Sequence, residues 1–237
     1  MNGDSLYIVI PAYNEEENIK NVINDWYPVI EKYGNEDSRL VIIDDGSKDS
    51  TYSILKKAME EKPKLIGLTK ANGGHGSTIL YGYHYALDNN ADFVFQTDSD
   101  GQTLPSEFEP FWNERNNFDL VIGNRNKRED GFSRVVVTKT LKLVIKIAFG
   151  ESLTDANTPY RLMESSVLRK NIKHVPDDFF LSNVLLAVIY KRNNQRIKFI
   201  PITFRPRQGG VNSINLKRIT GIGIQALKDF RKLNKEI

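Results

Sequence analysis

Acidic side chains at two points of the chain have the types and spacing that metal and phosphate chemistry requires. Asp98 and Asp100 are one residue apart and follow a short apolar run, and the adjacent Asp44 and Asp45 follow another. An open parallel sheet binds ligands beyond the carboxyl ends of its strands, so we expect these carboxylates to face a ligand. The pair Asp98 and Asp100 suits a hard divalent cation that is shared with substrate phosphates.

Both acidic segments also have simpler explanations. Segment 98–105 (DSDGQTLP) could be a turn or the start of an EF-hand, but its glycine is the fourth residue and not the sixth, and no helix precedes it. In segment 44–51 (DDGSKDST), a turn at Gly46 and a helix cap at Asp49 or Ser50 leave the two adjacent acids unexplained. One of these carboxylates could accept a hydrogen bond from a nucleobase N–H or a ribose hydroxyl.

Two further segments lie where a strand ends or a helix begins. Segment 11–17 (PAYNEEE) closes the first predicted strand, and Pro11 and Tyr13 offer flat faces for a base, although a turn and a helix cap explain it too. Segment 72–78 (NGGHGST) precedes a helix, where backbone N–H groups of a glycine-rich loop can bind phosphate. It lacks the Walker lysine and the G-x-G-x-x-G pattern, so a flexible helix cap explains it equally well.

Length and composition bound the classes of protein to consider. The 237 residues suffice for one large α/β domain, and 40% hydrophobic and 27% charged residues are ordinary for a globular protein. A net charge of +3 is too small to indicate nucleic acid binding, and the lack of cysteine excludes disulfides and thiolate zinc sites. The amino terminus does not resemble a signal peptide, and no apolar run reaches about 18 residues, so we expect only peripheral membrane contact.

Alternating strand and helix patterns position the acids. Repeated strand–helix–strand units of this length predict an α/β fold with a doubly wound, mostly parallel sheet, and we expect its crossovers to be right-handed. A capping box is expected at the first helix, from Asn14 to Glu17, and Gly34 should end that helix. The predicted strands are 6–10, 40–43, 65–68, 93–97, 120–123 and 197–205; the later helices are 50–62, 78–89, 135–149 and 178–192, with a loop at 125–134 and a helical tail from 216.

In their order along the chain, these segments resemble the family 2 glycosyltransferases with the GT-A fold. The resemblance is carried by 11–16 (PAYNEE), 44–51 (DDGSKDST), 74–78 (GHGST) and the D-x-D motif at 98–100. Within the family, the chain is most similar to the polyprenyl-phosphate branch, since 153–162 (LTDANTPYRL) is similar to an element of that branch. There Thr158, Pro159 and Tyr160 stand where Ser-Gly-Phe is expected, and the Q-x-x-R-W signature of processive synthases is absent.

The resemblance implies a function and a set of site residues. It implies an inverting, metal-dependent transfer from a UDP- or GDP-sugar to a lipid-phosphate or glycan acceptor, in cell-envelope glycan synthesis. Asp100, with Asp98, would bind Mg²⁺ or Mn²⁺, and Asp178 would be the general base. Nucleotide-sugar binding is predicted for Pro11, Tyr13, Glu15, Asp44, Asp45 and Asp98.

Basic residues in the second half of the chain predict the acceptor side. Arg161, Arg205 and Arg207 could pair with an acceptor phosphate, and the loop 205–213 (RPRQGGVNS) is either a solvated loop or a lid. We expect a GT-A domain at 1–214, with a nucleotide-sugar-binding half at 1–123 and an acceptor half at 124–214. The tail 215–237 is basic and amphipathic, so it either contacts an anionic membrane or packs on the domain.

Two other classes of protein remain open from the sequence. A nucleotidyltransferase also uses acidic metal ligands on an α/β sheet, but it usually has a basic glycine-rich loop where this chain has acids at 15–17. A non-catalytic module that binds nucleotide sugars is the other alternative. We expect a cytoplasmic protein, and a lipid-phosphate acceptor would place it at the inner face of the cell membrane.

Overall fold

The computed structural model describes residues 3–128, 132–207 and 229–232, with the backbone alone for 126–128 and 132–140. Over these residues, one seven-stranded sheet is flanked by helices on both faces. The strands are β1 (Leu6–Ala12), β2 (Arg39–Asp44), β3 (Leu65–Thr69), β4 (Phe93–Thr97), β5 (Leu120–Arg128), β6 (Tyr160–Glu164) and β7 (Ile197–Phe204). The helices are α1 (Ile19–Tyr33), α2 (Thr51–Met59), α3 (His75–Asp88), α4 (Glu109–Asn113), α5 (Phe132–Phe149), α6 (Ser165–Asn171) and α7 (Ser182–Arg192), with short 3-10 turns at Pro105–Glu107 and Ile172–His174.

The strand order is β3-β2-β1-β4-β6-β5-β7, and β6 alone among them runs antiparallel to its neighbours. The predicted α/β architecture with a mostly parallel sheet is therefore confirmed. The sequence analysis missed α4, β6 and α6, each of which has only five to seven residues. Residues 153–162, which include the start of β6, were interpreted only as a family motif.

Alternation along the strands divides the core into two layers. Leu6, Ile8 and Ile10 of β1 pack with α1, α2 and α4, while Tyr7 and Val9 pack on the other face with α3, α5 and α7. Successive side chains of a strand point to opposite faces, so a strand that helices cover on both faces needs an apolar residue at each position. Packing of the helices on both faces holds the strands in place, and the acidic segments follow the ends of these strands.

The start of α1 differs from its prediction. The side chain of Asn14 does not cap α1; its backbone has a φ of 52°, and its Oδ1 accepts the N–H of Lys48 at 2.9 Å. The cap residue is Asn18, whereas Gly34 does end the helix by donating to the Ile30 carbonyl, as predicted. The local capping signal failed here because segment 11–17 bonds to segment 44–51 across the sheet edge.

The region around α5 also differs from the sequence-based expectation. Residues 125–128, predicted as loop, continue β5, which pairs there with β7. No described helix is both long and apolar enough to cross a membrane. Of the predicted tail helix, only 229–232 lie within the described residues, and there Phe230 is fully buried against Phe149 and Phe179.

Candidate nucleotide-sugar site

A cleft of about 840 Å³ opens beyond the carboxyl ends of β1, β2 and β4. This is where an open parallel sheet places its ligand. The segments that follow β1, β2 and β4 meet there because β1 lies between β2 and β4 in the sheet. The lining residues are Pro11 to Asn18, Asp45, Asp49, Asn72, Gly74, His75, Thr78, Asp98, Ser99, Asp100 and Arg207.

The turn after β4 presents two carboxylates to the cleft. Asp98 Oδ1 accepts a bond from Gln96 Nε2 at 3.3 Å and lies 3.6 Å from His75 Nε2. Burial raises the pKa of the Asp98 carboxyl, and the neighbouring His75 opposes that rise only partly. Asp100 Oδ1 accepts the backbone N–H of Gln102 at 3.1 Å, which fixes the side chain within its own turn.

Asp45 organises the glycine-rich loop that precedes α3. Its Oδ1 accepts from Lys70 Nζ at 2.5 Å and from the Gly73 N–H at 2.9 Å, and its Oδ2 accepts from the Gly74 N–H at 2.9 Å. Burial favours the neutral acid, but these donors outweigh it and hold the pKa of Asp45 below its usual value. Asp45 is thus ionised in the cleft and joins the ends of β2 and β3 to α3.

Asp44 points to the other side of the same strand end. It is buried, accepts from the Thr69 hydroxyl at 2.8 Å and from the Ser47 N–H at 3.2 Å, and does not line the cleft. The alternation of a strand separates two adjacent acids in this way. Asp44 therefore braces β2 against β3, while Asp45 faces the cleft.

Glu15 is a buried carboxylate at the cleft wall. Its backbone N–H donates to Thr51 Oγ1 at 2.8 Å, and its Oε2 accepts from Asn18 Nδ2 at 2.7 Å. Arg207 donates to Oε1. Burial raises the pKa of Glu15 and the charge of Asp100 adds to that rise, while the bond from Asn18 and the charge and bond of Arg207 oppose it.

Pro11 and Tyr13 form the less polar side of the cleft. Pro11 is buried at the end of β1, whereas 44% of Tyr13 is exposed to solvent. An exposed aromatic ring beside a buried proline in a polar cleft offers a stacking surface for a planar group. Both residues line the cleft, and their contact with a base stays a prediction.

Arg205 and Arg207 follow β7; Arg207 lines the cleft, whereas Arg205 does not line it and donates from Nη2 to the Gly101 carbonyl at 3.3 Å. The Arg205 backbone N–H donates to the Gln102 carbonyl at 2.9 Å, and Gln102 Nε2 donates back to the Arg205 carbonyl at 2.7 Å. Arg207 Nη1 lies 4.0 Å from Asp100 Oδ2. The acidic turn after β4 and the basic segment after β7 are therefore tied together.

The chemistry of the acids fits a divalent cation bound jointly with a phosphate. No three His, Cys, Asp or Glu side chains within the described part of the chain converge to bind a metal by themselves. Magnesium-like ions in nucleotide sites use one or two carboxylates and complete their shell with phosphate and water. Asp98 and Asp100, two hard oxygen donors facing one cleft, match that pattern.

Comparison with protein families decides what kind of cleft this is. Residues 7–184 match the model of glycosyl transferase family 2. The matched region is well over half of the chain and includes the acidic residues after β1, β2 and β4. The chain belongs to glycosyl transferase family 2. The resemblance noted in the sequence is thereby confirmed, and the protein is an enzyme that transfers glycosyl groups.

Curated relatives of this family 2 glycosyltransferase include polyprenyl-phosphate sugar transferases. It is 28% identical over 219 residues to the UDP-N-acetylglucosamine–dolichyl-phosphate N-acetylglucosaminyltransferase of Methanococcus voltae, covering 83% of this chain and 84% of the relative. It is 26% identical over 218 residues to an undecaprenyl-phosphate 4-deoxy-4-formamido-L-arabinose transferase of Salmonella paratyphi B. That match covers 91% of this chain but only 64% of the relative.

The fold of the glycosyltransferase is also found among solved structures. Glucosyl-3-phosphoglycerate synthase from Mycobacterium tuberculosis, in complex with Mn²⁺, UDP and phosphoglyceric acid, superposes with a TM-score of 0.72. The match covers 98% of this chain and 79% of the synthase at 17% identity. This likeness confirms the expected GT-A type of α/β fold.

Arg161 lies elsewhere than the sequence analysis expected. It is fully buried, and its guanidinium donates to the carbonyls of Ala156, Thr158 and Asn183 at 2.9 to 3.2 Å. An arginine whose donors are bound to backbone deep in the protein does not reach an acceptor phosphate. The structure therefore does not support the predicted contact with an acceptor phosphate, because the residue holds the start of β6 against α7.

Asp178 is exposed in the turn before α7 and does not line the cleft. The turn nevertheless lies close to it, because a Cβ on Gly76 would stand 2.2 Å from the Phe179 carbonyl oxygen. Ser182 Oγ also donates to the Gly76 carbonyl, at 3.3 Å. The turn that contains Asp178 thus packs against the start of α3, next to the cleft residues Gly74 and His75.

Sequence reasoning missed several residues that shape the glycosyltransferase site. Lys70 follows β3 directly, so its position at the same sheet edge as Asp45 was a usable signal. Asp155 receives a two-pronged ion pair from Arg125, with N–O distances of 2.8 and 2.7 Å, and no local pattern indicates that contact. This ion pair links β5, which contains Arg125, to the loop before β6.

Proposed function

We propose that the protein transfers a glycosyl group from a UDP-sugar to a polyprenyl phosphate, with inversion, in a metal-dependent reaction of cell-envelope glycan synthesis. One observation carries the proposal. The cleft places Asp98 and Asp100 opposite Asp45 and beside the flat surface of Pro11 and Tyr13, so a nucleotide can lie between a base surface and a cation site. The names of the two curated relatives support the polyprenyl-phosphate acceptor.

The donor base is proposed to lie on Pro11 and Tyr13 with its polar edge towards Asp45. A carboxylate that stays ionised can accept the ring N–H of uracil, and Lys70 beside it can donate to a base carbonyl. Uracil is preferred to guanine because the Methanococcus relative is named for a UDP donor and the Mycobacterium structure holds UDP.

The diphosphate is proposed to lie over Asp98 and Asp100. A divalent cation bound there would stabilise the negative charge that grows on the departing UDP. Arg207 and the backbone N–H groups at the start of α3 add further positive potential on the same side. The residues of this chain thus orient the donor so that its anomeric carbon faces the acceptor.

The transfer itself is a single displacement. An oxygen of the acceptor phosphate forms a bond to the anomeric carbon while the bond from that carbon to the UDP oxygen breaks, and UDP leaves with the electron pair. A phosphate is already ionised near neutral pH, so it needs no strong base. Arg205 is proposed to pair with the acceptor phosphate, and Asp178 to position the acceptor at the rim.

Replacement of Asp178 by asparagine is therefore expected to lower kcat with a polyprenyl phosphate by less than about tenfold, well below the 10²–10⁴-fold contribution of a general base. UDP binding should not change, because Asp178 does not line the cleft. Steady-state kinetics with purified protein, with UDP titrated in parallel, measures both. A loss of a thousandfold in kcat would instead make Asp178 the base of an alcohol acceptor.

Peripheral membrane contact is proposed on the face of α5 that leaves the core. Leu143 and Ile147 are 58% and 52% exposed, and the exposed Lys142 and Lys146 flank them. A helix face with apolar and basic side chains suits the surface of an anionic membrane. Phe180 is 62% exposed in the turn beside the cleft, which would bring a membrane-held acceptor to the rim. The proposed location is the inner face of the cell membrane.

The experiment that tests the function is a transfer assay with UDP- and GDP-sugars, with Mn²⁺ or Mg²⁺, and with a panel of polyprenyl phosphates and soluble glycans. We expect one UDP-sugar to give a glycosylated polyprenyl phosphate, and no product with EDTA. The anomeric configuration of the product, read by NMR, tests inversion. Transfer only from GDP-sugars, only to glycans, or undiminished in EDTA would contradict the corresponding part of the proposal.

A further inference from the structure

Arg207 lies between two carboxylates of the cleft. Its Nη2 donates to Glu15 Oε1, and its Nη1 is 4.0 Å from Asp100 Oδ2. The two bonds between the backbone of Arg205 and Gln102 hold the segment to the acidic turn. The guanidinium therefore sits beside the carboxylate that is the proposed main ligand of the cation.

Glu15 and Asp100 need a positive charge nearby. Glu15 is 5% exposed, burial raises its pKa, and the negative charge of Asp100 adds to that rise. Uncompensated carboxylates in such a place are costly, so a cation that contacts both stabilises the ionised pair. Arg207 supplies that charge in the structure.

A divalent cation at Asp100 would meet the same guanidinium. Two positive charges about 4 Å apart repel each other, and the repulsion is stronger in a partly buried cleft than in water. A nucleoside diphosphate changes this balance because its oxygens can bind the metal and accept two parallel bonds from an arginine. The guanidinium then has a better partner than Asp100.

We propose that Arg207 couples the binding of the divalent cation to the binding of the nucleoside diphosphate. This inference rests on the proposed function, since it assumes a metal and a UDP-sugar in this cleft. Without nucleotide, Arg207 competes with the metal for Asp100; with nucleotide, it turns to the diphosphate and the metal binds tightly. The site thereby favours a metal that arrives with, or after, its donor.

The test is a thermodynamic cycle with Mn²⁺ and UDP. The dissociation constant of Mn²⁺ is measured from the EPR signal of the free ion, with and without saturating UDP, for the wild type and for Arg207→Gln. We expect the variant to bind Mn²⁺ alone about tenfold more tightly, and the tightening by UDP to be about tenfold smaller than in the wild type. Because linkage is reciprocal, the effect of Mn²⁺ on UDP binding should fall by the same factor.

Two further variants control the cycle. Arg196→Gln removes the same charge from an exposed arginine, which pairs with Asp119 and does not line the cleft, and it should leave the coupling at the wild-type value. Arg207→Lys keeps the charge and should keep most of the competition with bare Mn²⁺. Unchanged coupling in Arg207→Gln, while the wild type still binds Mn²⁺ and UDP, overturns this inference alone. A wild type that binds no UDP overturns the inference and the proposed function together.

Discussion

Replacement of Asp100 by asparagine is expected to lower kcat/KM for sugar transfer by about a thousandfold, the upper range for losing one electrostatic stabiliser of the transition state. The amide keeps the shape of the side chain and can still accept the Gln102 N–H. It loses the negative charge that a hard cation requires. Transfer from the UDP-sugar, and the effect of Mn²⁺ on UDP binding, are measured for wild type and variant at saturating metal.

A matched variant separates this loss from a general effect of charge. Asp88→Asn removes the same charge from the exposed last residue of α3, about 20 Å along the helix from its start at the cleft. Its kinetics should equal those of the wild type. If Asp100→Asn retained metal-dependent UDP binding and transfer within a factor of three of wild type, Asp100 would not be a metal ligand.

Replacement of Arg161 by methionine is expected to lower the free energy of unfolding by about 3 kcal/mol or more. Methionine fills a similar length, but it leaves three buried carbonyls without their donor, and each unsatisfied buried group costs about 1–3 kcal/mol. These carbonyls belong to the loop before β6 and to α7. Urea unfolding followed by tryptophan fluorescence measures the loss, because Trp26 packs against Tyr160 beside the altered residue.

Kinetics distinguishes this structural role from the acceptor role that the sequence suggested. The fraction of Arg161→Met that remains folded should bind UDP like the wild type, since Arg161 does not line the cleft. Arg196→Gln, which alters an exposed arginine paired with Asp119, should change the unfolding free energy by no more than about 1 kcal/mol. A stable Arg161→Met with a much higher KM for the acceptor alone would restore the original assignment.

Much of the fold could be predicted because the hydrophobic pattern is strong in the first half of the chain. The strand at Phe93–Thr97 was predicted with its observed bounds, and the strands at β1, β2 and β3 within two residues at either end. Each is a short β-branched or aromatic run bounded by turn residues. The misses came where a distant partner overrides local preference. Asn14 bonds to Lys48 across the sheet edge and leaves the cap, and residues 125–128 become strand because β7 pairs with them.

The site could be predicted as far as strand ends determine it. Asp45, Asp98 and Asp100 lie at one sheet edge because parallel strands end there, a rule that needs no coordinates. Contacts between distant segments could not be read in the same way. That Asp44 turns away from the cleft, that Arg161 is buried and that Arg207 reaches Glu15 all depend on packing between elements far apart in sequence.

The most direct test of the account is a crystal structure of the protein grown with Mn²⁺ and UDP, with data collected at the manganese absorption edge. We predict an anomalous peak within about 2.5 Å of a carboxylate oxygen of Asp100, with the diphosphate beside it and uracil against Pro11 and Tyr13. A manganese ion bound away from Asp98 and Asp100, or UDP bound outside this cleft, would contradict the account.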